Sequence, residues 1–156
     1  RLAGEDRVTA VLFLTMIPRG LFTSARQTWK TPQELYSALN EEFHFDHDPC
    51  PVPRPGELQE RDGLGSAWGL VNFVNPPYND KQRWIKKGLE EWRKGNTVVF
   101  LLPARTDTKF FHEEFIPNAT EIRFIRGRLH FDERGPAPFP SMVVVFQGGR
   151  TTTSKP

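Results

Sequence analysis

Residues 70–103 read "LVNFVNPPYNDKQRWIKKGLEEWRKGNTVVFLLP". Two near-continuous apolar runs, residues 70–75 and 97–103, flank a charged stretch in which Ile85, Leu89 and Trp92 recur at helical spacing. Asn79 or Asp80 is placed to cap that helix, and Gly95 to end it. Apolar runs without alternation belong to strands buried on both faces. Strand, helix and strand in so short a span form a crossover unit, which leaves its two strands parallel.

The pattern repeats outward. "TPQELYSALNEEF" (residues 31–43) reads as a helix with Thr31 as cap, Pro32 at the first helical position and Glu34 closing a capping box, its inner face carrying Leu35, Leu39 and Phe43. "FHFDHD" (43–48) follows as a short strand ending at Asp48-Pro49. Residues 51–67 are rich in proline, glycine and charge and read as a loop. After residue 103 come a short helix, "DTKFFHEEFI", a strand, "TEIRFI", a short extended piece, "RLHF", and a last strand, "SMVVVF". Strands alternating with helices predict an α/β fold with a mostly parallel, doubly wound sheet. Ligands of such sheets bind beyond the carboxyl ends of the strands, where Asp48 and Asn75 both fall.

With 156 residues the chain is long enough for one domain with a substantial core, and thirteen phenylalanines and four tryptophans are there to fill it. A formal charge of +2 is compatible with a basic patch but does not demand a nucleic-acid partner. The lone Cys50 excludes an internal disulfide and a cysteine-rich zinc site, and fits a reducing cytoplasm. His44, His47, His112 and His130 show no metal-ligand spacing, so no metal is expected. The apolar run at 8–17, "VTAVLFLTMI", is too short to span a bilayer, and no small-residue cleavage pattern follows it. Residues 1–20 are expected to be an arm or an added strand, and residues 148–156 a frayed tail.

Asn75-Pro76-Pro77-Tyr78 is where the chemistry concentrates. As a bare turn it needs no further purpose, because Asn and Pro are common turn residues. It also suits an amino group conjugated to an aromatic ring, as in adenine. Such an amine is a poor nucleophile, and attack on an electrophile withdraws its lone pair from the ring and builds positive charge on nitrogen. A site lowers that barrier by presenting acceptors along the two N–H bonds. The Asn75 side-chain oxygen and the Pro76 carbonyl are candidates, and Tyr78 offers a flat ring for a base. Proline adds no N–H that would need a partner in a crowded loop.

The motif resembles that of amino-group methyltransferases that use S-adenosylmethionine. "LFTSARQTWKTPQELYSALNEEFHFDHDPC", "DGL", "VNPPY", "LLPARTDTKFFHEEF", "GRLHF" and "PFPSMVVVF" follow in order like the phage-type DNA N6-adenine methyltransferases, over residues 21–147. The resemblance implies a compact Rossmann-like methyltransferase domain at 21–147 that transfers a methyl group to N6 of adenine in DNA. It implies that Trp29, Thr31 and Pro32 lie by the methionine end of the cofactor. It likewise implies that Asp48, Pro49 and Cys50 open the cofactor motif, that Asp62 reaches the cofactor's adenine, and that Asn75, Pro76, Pro77 and Tyr78 hold the target amine. Arg105 and Thr106, just past a strand, and Arg126 and Arg128 are the candidate DNA contacts.

The family's glycine-rich turn is absent after Cys50, where Gly56 stands alone, and the span from Asp48 to Asn75 is too short for two further βα units. The cofactor half is thus abbreviated, with Glu57 and Glu60 the weak candidates for the ribose hydroxyls. Two alternatives follow from the residues: a fold-mate that binds nucleic acid without methylating it, and methylation of RNA or a protein amide through the same motif.

Overall fold

The computed structural model describes residues 10–14, 30–52, 62–78, 80–131 and 135–149. Their strands are β1 (Ala10–Leu14), β2 (Val71–Val74), β3 (Thr97–Pro103), β4 (Glu121–Ile125) and β5 (Ser141–Phe146). Helix α1 spans Gln33–Phe43, α2 spans Lys81–Arg93, and a π-helical turn at Phe111–Phe115 leads into the single turn α3 (Ile116–Asn118). The sheet order is β1-β4-β5-β3-β2.

The expected crossover unit forms: β2 and β3 pair in parallel, with Val71 opposite Thr97 and Val74 opposite Phe100. The sheet as a whole is a mix. β1 pairs with β4 in parallel, but β5 lies between β4 and β3 and runs antiparallel to both. No described helix separates β4 from β5, and a chain that returns without a crossover element pairs antiparallel. β1 to β4 therefore share one direction, and β5 alone opposes it.

Alternation along β3 splits the core. Val98, Phe100 and Leu102 face one layer with Trp84, Ile85 and Leu89 of α2 and Phe111 and Phe115 of the π-turn. Val99 and Leu101 face the other, with Leu35 and Leu39 of α1 and Leu129, Phe131 and Phe139 of the β4–β5 connection. Trp84, absent from the expected stripe of α2, is buried, while Trp92 is only partly so. Gly88 lets α2 approach closely, since a Cβ there would strike the Phe100 ring.

Two local expectations fail for identifiable reasons. Helix α1 starts at Gln33, because Pro32 is held extended (φ −52°, ψ 128°), and no side chain among the described residues caps it. Thr31 is thereby directed elsewhere, and the capping box is not made. The expected strand at 43–48 is reduced to a single bridge, His47 to Asn72. Helix α1 runs through Phe43, His44 closes it at φ 55°, and Asn40 accepts the N–H groups of both His44 and Phe45. Asp46 then takes the place of a ladder, its carboxylate accepting from the backbone of Leu70 (3.2 Å) and Val71 (3.1 Å). The "RLHF" piece lies outside the strands, with Leu129 and Phe131 buried.

Candidate active site

Because β2 and β3 run in parallel, Asn75 to Tyr78 and Pro103 to Arg105 emerge at one edge of the sheet. The single parallel bridge at His47 sends Asp48 to Cys50 toward the same edge. The start of α1 arrives there too, through Thr31.

Asn75 follows the last residue of β2, with Pro76 buried behind it. Its side-chain amide N–H donates to the Thr31 hydroxyl at 3.1 Å, across 44 residues of sequence. That bond sets the amide so that Oδ1 is its acceptor end. The hydroxyl assigned to the helix cap thus orients the asparagine instead. The Pro77 carbonyl accepts the Asp80 N–H at 3.2 Å and closes the turn into α2. The Tyr78 ring sits edge-on to Phe139 (4.7 Å between centroids) and Phe131 (6.4 Å). Burial raises its phenol well above the usual range, so it stays protonated. Phe139 and Ser141 were not among the expected site residues; both are buried at this edge, and the Ser141 Oγ has no hydrogen-bond partner among the described residues. No local sequence signal marks either one, since each reads as part of a strand or its approach.

Asp48 is half-buried, and its carboxylate accepts the Cys50 N–H at 2.9 Å. Burial raises its pKa against the opposing pull of that hydrogen bond and of His47. Cys50 is pushed up to about 12 by burial and by the neighbouring Asp48 charge, so it is an unreactive thiol. Tyr36 of α1 also feels Asp48: burial first, then that charge, raises its phenol. Glu34, in the first turn of α1, leaves Oε2 buried with no hydrogen-bond partner among the described residues.

The Asp62–Leu64 segment is brought against Asp48–Cys50. A Cβ on Gly63 would collide with the Pro49 carbonyl, and the Gly63 carbonyl accepts from the Trp68 indole at 2.6 Å. Asp62 itself is exposed and closes its own turn by accepting the Gly65 N–H (2.9 Å). Trp29, Gly56, Glu57 and Glu60 lie outside the described residues.

Arg105 and Thr106 are exposed past the end of β3. Thr108 ties this turn: its hydroxyl donates to the Arg105 carbonyl (3.0 Å) and accepts the Phe111 N–H (3.3 Å). Thr106 accepts at its carbonyl from the His112 ring, at 2.7 Å. Arg126 and Arg128 are exposed on the β4–β5 connection, Arg128 donating to the Ala137 carbonyl at 3.4 Å. Among the described residues, no group of three or more His, Cys, Asp or Glu is placed to hold a metal, and no helix is long and apolar enough to cross a membrane.

Comparison with known proteins places the chain in a family. The family described as DNA N-6-adenine-methyltransferase (Dam) matches residues 20–146. A protein of Escherichia phage T1 named DNA N-6-adenine-methyltransferase is 31% identical over 136 residues, covering 82% of this chain and 57% of that relative. The chain therefore spans less than two thirds of the relative's length. No solved structure matches.

Proposed function

The chain belongs to the DNA N-6-adenine-methyltransferase family, and on that footing we propose that it methylates the N6 amino group of adenine in DNA, with S-adenosylmethionine as methyl donor. The observation that carries the reading is the Asn75 amide, fixed by Thr31 at the carboxyl edge of the sheet and followed by Pro76, Pro77 and Tyr78. We read residues 21–147 as the methyltransferase domain and its sheet as Rossmann-like, with β5 as the reversed strand.

Asn75 Oδ1 and the Pro76 carbonyl accept the two N–H bonds of the target amine as its lone pair leaves conjugation. Each acceptor stabilises charge that develops only in the transition state, which raises the rate rather than the ground-state affinity. Thr31 is a positioning residue: it holds the Asn75 amide so that no reorganisation is needed when charge appears. Tyr78, with Phe139 and Phe131 behind it, forms the aromatic wall for the base. A target adenine in duplex DNA leaves the stack to reach this edge. Cys50 stays a thiol, so no covalent relay passes through it.

The residues present suit the cofactor's positive charges. The partly buried Asp48 carboxyl and the buried Glu34 Oε2, which has no hydrogen-bond partner among the described residues, both favour a cation nearby, and they flank the same edge as Thr31. When bound, S-adenosylmethionine supplies an electrophilic methyl group. Asp48, Pro49, Cys50, Thr31, Pro32 and Asp62 are the residues we assign to holding it, with Trp29, and Arg105, Thr106, Arg126 and Arg128 those we assign to DNA.

The reading is tested by supplying labelled S-adenosylmethionine with DNA, RNA or protein as acceptor. Label entering DNA alone is expected; label entering only RNA or protein overturns the assignment.

A further inference from the structure

Between the first two turns of α2 and the segment after β3 lies a cavity of about 640 Å³, within the size range of sites that hold small organic ligands. Its floor is core: Ile85, Leu102, Phe115 and Met142 are each under a tenth exposed. Its lip is cationic. Lys81, Lys86 and Arg105 line it, and no described carboxylate lies within 4.0 Å of any of them.

The lack of partners is not general to this helix. On the same α2, Arg83 pairs with Asp80 (3.2 Å), while Lys87 (2.7 Å) and Lys94 (2.9 Å) both pair with the buried Glu91. Burial opposes ionisation of Glu91, yet those lysine hydrogen bonds outweigh it and bring the carboxyl down to about 2. Along α2 the cations that face away from the groove are thus answered by carboxylates, whereas Lys81 and Lys86 on its lip have none among the described residues. Farther along, Glu113 and Glu114 also line the cavity but already answer Lys109 (3.7 Å) and Arg93 (3.2 Å).

The groove's place gives the occupant. Lys81 opens the helix that directly follows the Asn75–Tyr78 turn, and Arg105 follows the parallel neighbour of β2. An apolar slot with an unneutralised cationic lip matches a nucleotide, whose phosphates take the cations and whose base and sugar take the apolar floor. We propose that this groove seats the nucleotide next to the target adenine on the same strand, with its phosphates on Lys81, Lys86 and Arg105. The groove then contributes DNA affinity and a preference at the flanking position. This rests on the reading of the chain as acting on DNA.

The test uses the full chain and does not require turnover. A duplex carrying 5-iodouracil beside the adenine is bound and irradiated, and the cross-linked peptide is identified by mass. In parallel, the salt dependence of DNA affinity is compared for the wild type and for Lys86→Ala with Arg105→Ala, after thermal unfolding shows that the variant folds. The groove reading expects a cross-link in the peptide containing Phe110, whose ring also lines the cavity, and a log–log salt slope shallower by about 2. It also expects the loss in turnover to fall on KM for DNA rather than on kcat. An unchanged slope and KM, or a cross-link mapping away from the groove, overturns it even if methylation proceeds. Conversely, a wild type that fails to methylate DNA while the slope changes and the cross-link maps to the groove overturns the catalytic reading and leaves the groove standing.

Discussion

The Asn75–Tyr78 turn and the paired segments Asp48–Cys50 and Asp62–Leu64 lie toward the same edge of the sheet, but different forces hold them. The turn leaves a strand that is continuously paired with β3, and behind it lie the buried Pro76 and the aromatic contacts of Tyr78 with Phe139 and Phe131. Among the described residues, the other segments are tied to the sheet by one backbone bridge, at His47, and depend further on side chains and close approaches. Asp46 stands in for a ladder, Gly63 presses on Pro49, and the Trp68 indole both bonds Gly63 and stacks on Trp84 at 6.3 Å. A ladder fixes an atom's position through many cooperative bonds, whereas a clasp of single contacts fails when one contact is lost. The region proposed to hold the amine is accordingly expected to lose chemistry without losing stability, and the region proposed to hold the cofactor to lose both.

The sharpest way to break that contrast is Asn75→Ala. Methyl transfer is expected to fall by about 10²–10³-fold, by analogy with deleting one preorganised charge-stabilising group. Thermal unfolding should stay near wild type. Comparable losses of stability and rate would erase the distinction.

Gly63→Ala probes the clasp. The added methyl collides with the Pro49 carbonyl, and overpacking of this kind costs about 1–3 kcal/mol. Denaturant unfolding is expected to shift by that amount, with cofactor affinity, measured by calorimetry, weakening more than DNA affinity. An unperturbed cofactor constant would separate this segment from the cofactor.

Thr31→Val removes the bond to Asn75 at nearly constant shape. A hydrogen bond of ordinary strength, about 1 kcal/mol, corresponds to roughly a fivefold fall in kcat. Thr31→Ser should recover most of it. If Thr31 served only as a helix cap, the change would appear in stability and leave kcat unmoved.

Asp48→Asn gives the smallest effect, and its sign depends on pH. Burial raises the folded-state pKa of Asp48 above its unfolded value, so folding favours the protonated form. The folded chain loses stability as pH rises from the usual aspartate range through the raised pKa, and the penalty persists at neutral pH. The asparagine variant, which cannot ionise, should be the more stable at neutral pH, with the difference closing below about pH 3.8. Cofactor affinity should move the other way. A variant less stable at neutral pH would mean that Asp48 is held by a partner rather than penalised by burial.

Local periodicity and turn chemistry made much of this legible. β2, α2 and β3 follow from residues 70–103 because apolar spacing and punctuation there agree, and the Asn-Pro-Pro-Tyr turn can be read because its chemistry is local. What escaped was decided at long range. Thr31 looks like a cap in any short window, yet Pro32 turns it toward a residue 44 positions away. β5 reads as one more strand, and its reversal depends on the connection that brings it back. The expected strand at 43–48 lost to the αL closure at His44 and to the Asp46 carboxylate, which took the backbone N–H groups of Leu70 and Val71. The unpaired cations beside α2 emerged only once their neighbours' partners were known in space.

The central claim is that this edge of the sheet transfers a methyl group to the exocyclic amine of adenine. The most direct measurement incubates the purified chain with duplex DNA and S-adenosylmethionine, digests the DNA to nucleosides and resolves them by mass. N6-methyldeoxyadenosine formed by the wild type and all but absent with Asn75→Ala is the predicted result. Its absence from the wild-type digest, or equal amounts from both proteins, would contradict the account.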